Sequence, residues 1–338
     1  MTDKELHILA KEGRHNGRRL NGKIQETHIS YIILSGKFAF KIKKPVKFSF
    51  LDFSTLAKRK KFCERELTLN RRFSNIYLDV LPVRKHGSGS YIGNGKGEVI
   101  DYAVMMKKMM ASRKMDVMLQ QGKVTSERLQ ALVTEIAAFH RKAQVITSGF
   151  AESRMKEVFN DIQDVEKIVQ EHLGDDDRHF IREAVRWNNR FIDAHSDHMK
   201  KRMRDGFVRD LHGDLHCGNI FLYKKPVLFD CIEFNDSFRQ IDVLSEISFL
   251  CMDLEASDKW NLSRQFASSY TDALPCIYSK QDENLLVYYK CHRANVRAKI
   301  HALAAEQERG GDLYSGHIKS LCLYLALMRT YIRQLSHV

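Results

Sequence analysis

The sequence predicts an α+β chain of two lobes, a small β-rich N-lobe over 1–108 and a larger, mainly helical C-lobe over 109–338. Three observations predict it. β-type runs fill the first third, helical periodicity takes over after about Asp116, and the charge divides at the same place. Residues 1–108 hold 23 Lys+Arg against 10 Asp+Glu, a net of +13, whereas 109–338 hold 32 of each. Such a field favours polyanions: nucleotide phosphates, an anionic substrate or RNA.

The elements follow in chain order. Ile24 to Leu34 and Lys37 to Lys43 read as strands joined through Ser35-Gly36, a tight hairpin connection. The loop FSFLDFS follows Pro45, and Ser54 is placed to N-cap a basic helix running to about Phe73. Strands near Tyr77 to Val83 and Val99 to Met106 flank the loop HGSGSYIGNGKGE, whose glycines read as turn chemistry. Helices are expected over Ser126 to Ala143, Ala151 to Leu173 and Arg178 to about Arg204, with the acidic run at 175–177 as an exposed turn. A short strand, loop and strand occupy Phe207 to Asp230. Helices resume near Val243, Asn284 and Leu313.

At 338 residues, with 43% hydrophobic and 29% charged residues, the chain has the balance of a folded globular protein. Seven scattered cysteines without a C-x-x-C pair read as reduced thiols of a cytoplasmic protein. The start, MTDKELHILAKEGRH, lacks the apolar segment of a signal peptide, and no run approaches the roughly 18 apolar residues of a membrane span.

The segment most specific for chemistry is His212-Gly-Asp-Leu-His-Cys-Gly-Asn219, with Asp230 ending the apolar run PVLFD. The spacing H-x-D-x-x-x-x-N is that of a kinase catalytic loop, and an acidic residue after the next strand supplies a second metal ligand. An attacking hydroxyl must be oriented while its proton is accepted, which suits the carboxylate of Asp214. Mg²⁺ takes oxygen ligands, and Asn219 and Asp230 offer an amide oxygen and a carboxylate. His212 reads as a brace for the loop, and His216 as a loop residue.

On these residues the sequence resembles the aminoglycoside phosphotransferase family of the protein-kinase-like superfamily. The runs ETHISYIILSGKFAFKIKKPV, FLDFS and ELTLNRRF bring it closest to that family's uncharacterised bacterial stand-alone branch, from about Ile24 to about Lys299. No G-x-x-x-x-G-K-[ST] motif of an added P-loop kinase domain occurs. The resemblance implies a bilobal kinase-like fold, with Mg²⁺ and ATP as cofactors and GTP still open.

In Phe38-Ala39-Phe40-Lys41, strand alternation sets Phe38, Phe40 and Ile42 on one face and Ala39, Lys41 and Lys43 on the other. By the resemblance, Ala39 would roof the adenine and Lys41 would reach the α- and β-phosphates, with Lys43 a possible substitute. Glu64 and Glu66 are both placed to pair with the lysine. At about 100° per residue, Glu66 falls among Phe62, Leu69 and Phe73 on the inward face, where an unpaired carboxylate is costly, so Glu66 is preferred. Where a glycine-rich loop would lie stands Glu26-Thr-His-Ile-Ser30, so backbone amides and the Ser30 hydroxyl are the candidates to cover phosphates. Met106 to Met109 would connect the lobes, with Met106 and Lys108 offering backbone groups to a purine. Asp242 aligns with a family aspartate that braces the catalytic loop, or simply N-caps the next helix. Glu233 either assists the metal or forms a salt bridge. The reading requires the Lys41 amine to lie near the metal ligands.

The acceptor is expected to be a hydroxyl-bearing small molecule. Beyond Asp253, Glu255 and Asp258 no dense acidic cluster suits a polycationic aminoglycoside. Lys290, Arg293 and Arg297 share a helix face, compatible with an anionic acceptor or with a solvated surface. The competing class is an RNA-associated protein using the basic helix AKRKKFCERELTLNRRF. That reading calls for exposed stacking aromatics, and Phe62 and Phe73 read as inward-facing.

Overall fold

The structure is a computed structural model that describes residues 1–48, 51–87 and 89–336. Ser49 and Phe50 of the FSFLDFS loop and Ser88 of the glycine-rich loop lie outside them. The first stretch comprises α1 (Asp3–Glu12), β1 (Arg14–His15), β2 (Arg18–Arg19), β3 (Lys23–Glu26), β4 (Ser30–Ser35) and β5 (Phe38–Lys43). It continues with α2 (Leu56–Asn70), β6 (Tyr77–His86), β7 (Gly89–Ile92), β8 (Glu98–Lys107) and α3 (Met115–Gln120). Next come α4 (Ser126–Lys142), α5 (Glu152–Asn160), α6 (Glu166–Leu173), α7 (Asp175–Arg204), β9 (Val208–Asp210), β10 (Ile220–Phe221) and β11 (Val227–Leu228). The chain ends with β12 (Gln240–Asp242), α8 (Val243–Ala256), α9 (Trp260–Ala273), α10 (Lys280–Gln307) and α11 (Tyr314–Ser336).

Two compact units result, Met1–Lys123 with Gly218–Arg239, and Val124–Cys217 with Gln240–Val338. A single cut at residue 108 does not describe them, because the segment carrying Asn219 and Asp230 packs with the β-rich unit.

In the first unit eight strands form one sheet in the order β2-β1-β7-β6-β8-β5-β4-β3. The alternation expected for β5 holds. Phe40 and Ile42 join Leu6, Leu9, Ile33 and Val83 on the face covered by α1, whereas Ala39 joins Cys63, Tyr77, Val104 and Met106 on the other. The run Ile24 to Leu34 is two strands, because Thr27 Oγ1 accepts from the Ser30 amide and donates to the Ser30 carbonyl, closing a turn. Gly36, at φ +52°, and Lys37 form the next turn, since Ser35 already pairs with Phe38.

Helix α2 is capped by Thr55, one residue later than expected, whose Oγ1 accepts from the Lys58 amide. Its buried face is Arg59, Cys63, Glu66 and Asn70, with Phe62, Leu69 and Phe73 only partly buried. The face is polar because Arg59 pairs with buried Asp101 at 2.8 Å and Glu66 meets lysines.

The second unit is helical around Phe159, Ile181, Phe249, Ala294, Leu325 and Tyr331. The helix expected over Ala151 to Leu173 is interrupted by a 3₁₀ turn at Asp161–Val165. The acidic run at 175–177 is the first turn of α7, where carboxylates favour the helix N-terminus, and Asp177 also pairs with Arg329 at 2.8 Å. Helix α9 has no counterpart in the sequence reading. All seven cysteines are free thiols. Among the described residues no helix is long and apolar enough to cross a membrane.

Candidate active site

In the first unit, Lys41 and Lys43 project from the same face of β5 into a cluster of carboxylates. Lys41 Nζ donates to Glu66 Oε1 at 2.8 Å and to Asp230 Oδ1, a partner 189 residues away in sequence. Lys43 Nζ donates to Glu66 Oε2 at 2.7 Å and to Glu233 Oε1, and it sits 4.8 Å from the centre of the Phe53 ring. Glu66 is 0% exposed and bridges both lysines. Glu64 stays outside, facing Lys60.

The electrostatics follow from this bridging. Burial raises a carboxyl pKa, but Lys41 and Lys43 together pull Glu66 down to about 2. Burial alone would lower Lys41, and Asp230 and Glu66 overcome it, so its pKa stands well above the ordinary lysine value. For Glu233 burial outweighs Lys43, and its pKa is raised. Glu233 thus forms a buried salt bridge with Lys43, the second of the two roles the sequence left open.

The metal-ligand candidates are built differently. Asp230 takes φ +65°, left-handed backbone that a non-glycine residue adopts at a cost and that clusters at functional positions. Its amide donates to Tyr77 Oη at 2.9 Å, and the next amide, of Cys231, donates to Asn70 Oδ1 at 2.9 Å. Asn70 donates in turn to the Glu66 carbonyl, so α2 fixes both the lysine partner and the Asp230 segment. The Asp230 side chain remains 40% exposed. Asn219 is buried at the start of the β10–β11 hairpin, its carbonyl accepting from the Phe229 amide at 3.1 Å.

The nucleotide-contact candidates divide. Ala39 and Met106 share the apolar cluster that also holds Phe229. Met106 is not in a connector; it lies within β8, paired with Ala39 and Tyr77. The Lys108 amide already donates to the Lys37 carbonyl at 2.8 Å, which removes it as a purine donor. Ser30 sits opposite Lys43, with its hydroxyl buried and lacking a partner among the described residues, so it covers no open surface.

In the second unit the loop from His212 to Cys217, the candidate catalytic loop, is held by buried side chains. The His212 and Gly213 amides donate to the two oxygens of buried Glu246 at 2.8 and 3.0 Å, and Gly213 takes φ +84°. Arg293 donates to the Gly213 carbonyl at 3.2 Å. His212 Nδ1 lies 3.3 Å from the Asp214 amide, and the Cys217 amide donates to Asp253 at 2.9 Å. Asp242, expected to brace this loop, instead receives Arg202 through both oxygens at 2.7 and 2.9 Å and caps α8 through the Leu244 amide. The bracing carboxylate is Glu246, one turn further on. The same apolar-rich stretch, DVLSEISFL, carries it, and a lone glutamate there was the available signal.

The Asp214 side chain is 37% exposed, with His216 Nε2 3.5 Å from Oδ2. Burial raises its pKa, but His216 and Arg293 outweigh that and hold it below the usual carboxylate range. His216 is raised in return, Asp214 overcoming the effect of burial. Glu246 is the reverse case: burial pushes it up to about 7 despite Arg293 and two amide donors.

Of the three basic residues on one face of α10, Lys290 is neutralised by Glu255 at 2.9 Å. Several basic groups of α2 and its C-cap have partners within the unit: Lys58 with Asp52, Arg65 with Asp236, and Arg71 with the Tyr77 carbonyl. Phe62 packs on Phe53, ring centres 5.2 Å apart.

No family model matches the chain. Over 324 residues it is 28% identical to uncharacterized proteins of Mycobacterium tuberculosis and Mycobacterium bovis, the match covering 90% of this chain. The chain spans 61% of the length of these curated relatives. Among solved structures it is similar to a choline kinase from Cryptosporidium parvum, with TM-score 0.55, 11% identity, and 98% and 97% of the two chains covered. It is also similar to a choline/ethanolamine kinase family protein from Mesorhizobium loti, with TM-score 0.52, 11% identity and complete coverage of both chains at 100%. At such identities the likeness is one of architecture, and the chain has the protein-kinase-like fold that the sequence resemblance implied.

Proposed function

We propose that the chain is a phosphotransferase that moves the γ-phosphoryl group of ATP or GTP to a hydroxyl of a small molecule. The observation that carries this reading is Lys41, whose one ammonium joins Glu66 of α2 to Asp230, the acidic residue that follows the catalytic loop in the motif. A lysine so fixed offers its charge to phosphate oxygens at a set position.

The donor set suits magnesium. Two lysines face three carboxylates in the cluster, which leaves one negative charge for a cation to balance, and Asp230 is exposed enough to offer an oxygen. Asn219 and Asp230 would hold the ion, and when bound it neutralises charge on the donor's phosphates. Ala39 and Met106 present an apolar surface to the base, and the Lys108 carbonyl and Met109 amide are the connector's groups for its edge.

Asp214 orients the acceptor. Its low pKa makes it an ionised hydrogen-bond acceptor at neutral pH that positions the hydroxyl and takes the proton late, as the new bond forms. The acceptor oxygen bonds to the γ-phosphorus, the bond from that phosphorus to the bridging oxygen breaks, and the nucleoside diphosphate leaves with the electron pair. Thermal shift with Mg·ATP and Mg·GTP across a panel of hydroxylated metabolites tests donor and acceptor together. No shift with either nucleotide sinks the reading.

A further inference from the structure

The second unit carries two guanidinium groups near Asp214 that make no ion-pair contact within 4.0 Å among the described residues. Arg293 is only 9% exposed, yet its one hydrogen bond among the described residues is to the Gly213 carbonyl. Its Nε is buried and lacks a partner among the described residues. Its flat face lies on Phe249, 4.9 Å from the ring centre. Arg297, one turn along α10, has Tyr324 as its hydrogen-bond partner at 3.4 Å, and the same ring lies 5.5 Å away. Among the described residues neither arginine has an ion-pair contact within 4.0 Å.

The carboxylates that would cancel them are already engaged. Glu246 receives the His212 and Gly213 amides, Asp253 receives the Cys217 amide, and Glu255 receives Lys290, Ser263 and Tyr331. Burial lowers the Arg293 pKa in spite of Glu246 and Asp214, so the site holds this cation at a cost. A guanidinium presents a fork of donors that matches the two oxygens of a carboxylate or the edge of a phosphate. The same pair repels an ammonium or trimethylammonium group. Arg293 keeps an unpartnered buried Nε and Arg297 has only the Tyr324 hydroxyl among the described residues, so an incoming anion would add charge-assisted partners to both.

We infer that Arg293 and Arg297 bind an anionic group on the acceptor, so that the substrate is an alcohol bearing a carboxylate or phosphate and not an amino alcohol. The inference rests on the phosphotransferase reading and narrows it to a substrate class. Both arginines are binding residues in this scheme, and Asp214 remains the group on the hydroxyl.

The test uses the full chain with Mg·ATP and four kinds of acceptor: glycerate, glycerol 3-phosphate, glycerol, and choline or ethanolamine. One of the two anions is expected to exceed glycerol in kcat/KM by about 100-fold, the worth of charge-assisted hydrogen bonds, with the amino alcohols poorest. Glycerate ahead of glycerol 3-phosphate identifies a carboxylate, and the reverse a phosphate. Arg297→Gln is expected to shrink the ratio of anion to glycerol by about 10-fold or more, with Arg293→Lys giving a smaller loss in a protein that keeps its charge. Saturable binding of the same two anions is read separately by thermal shift without nucleotide. Preference for choline or ethanolamine overturns the inference, as does equal use of anion and glycerol, or the absence of saturable anion binding. A protein that fails to bind Mg·ADP but binds the anions through Arg297 would lose the phosphotransferase reading and keep the anion site.

Discussion

Replacing Glu66 by Gln tests the centre of the charged cluster without changing its shape. The carboxylate bridges two buried lysines, whereas an amide accepts from one ammonium and turns its NH₂ toward the other. Two routes give the cost. Removing one partner of a buried ion pair costs about 3–5 kcal/mol, and the low end applies because Asp230 and Glu233 remain. Independently, a carboxyl held at about 2 instead of 4.5 contributes about 3 kcal/mol at neutral pH. At about 2 °C per kcal/mol for a chain of this size, the melting temperature falls by about 6 °C. The pH dependence has a definite sign. The native pKa lies below the unfolded one, so this contribution is present above about 4.5 and disappears as pH falls toward 2. The gap between wild type and Glu66→Gln, measured by thermal and urea denaturation, should therefore be full at neutral pH and close in acid. A gap under about 2 °C, or one equal at neutral pH and at about pH 3, would refute the bridging account.

Asp214→Asn should fold and shift with Mg·ADP like wild type, while acceptor-dependent turnover falls by about 10² to 10⁴; equal turnover removes the role given to the carboxylate. Glu246→Gln leaves one loop amide without an acceptor, costing about 1–3 kcal/mol. Because burial raises Glu246 to about 7, its ionisation makes the wild type lose stability as pH rises from about 4.5 through 7, and urea midpoints of the Gln variant should lack that decline. Lys43→Met strands Glu233 beside Glu66, so adding Glu233→Gln should recover at least about 1 kcal/mol of the loss; strict additivity in urea denaturation would show that the pair is not coupled.

The parts of this arrangement legible in the sequence are those set by local spacing. The run from His212 to Asn219 and the alternation of Phe38 to Lys43 depend on neighbours along the chain, so period and motif placed them. Glu66 emerged from helical phase even though its companions were misassigned. The helix turns Arg59, Cys63 and Asn70 inward because what it meets is polar, and a hydrophobic stripe is a poor guide to such a face. Glu246 and the pairing of Lys43 with Glu233 depend on contacts 33 to 190 residues apart, which no periodicity encodes. One local signal was missed: Thr2 and Glu5 form a capping box, and with it α1 was readable.

The two units carry opposite imbalances of charge at the residues the motif selects. Around Lys41 the carboxylates outnumber the lysines by one, and on the proposed reading a bound cation would share that charge. Near Asp214 neither Arg293 nor Arg297 makes an ion-pair contact among the described residues, and on the proposed reading the anionic group of the acceptor would pair with them. A protein that merely kept a kinase-like scaffold would gain by removing both, since buried unpaired charge costs stability and well-packed apolar side chains serve at least as well. In the proposed reaction the metal ion with its polyphosphate would answer the first and an acidic alcohol the second. Arg297→Gln, which removes one of these charges without breaking an ion pair among the described residues, should therefore leave the fold about as stable as before while weakening anion binding. A variant that lost stability and binding in proportion would mean that the charges serve the fold alone.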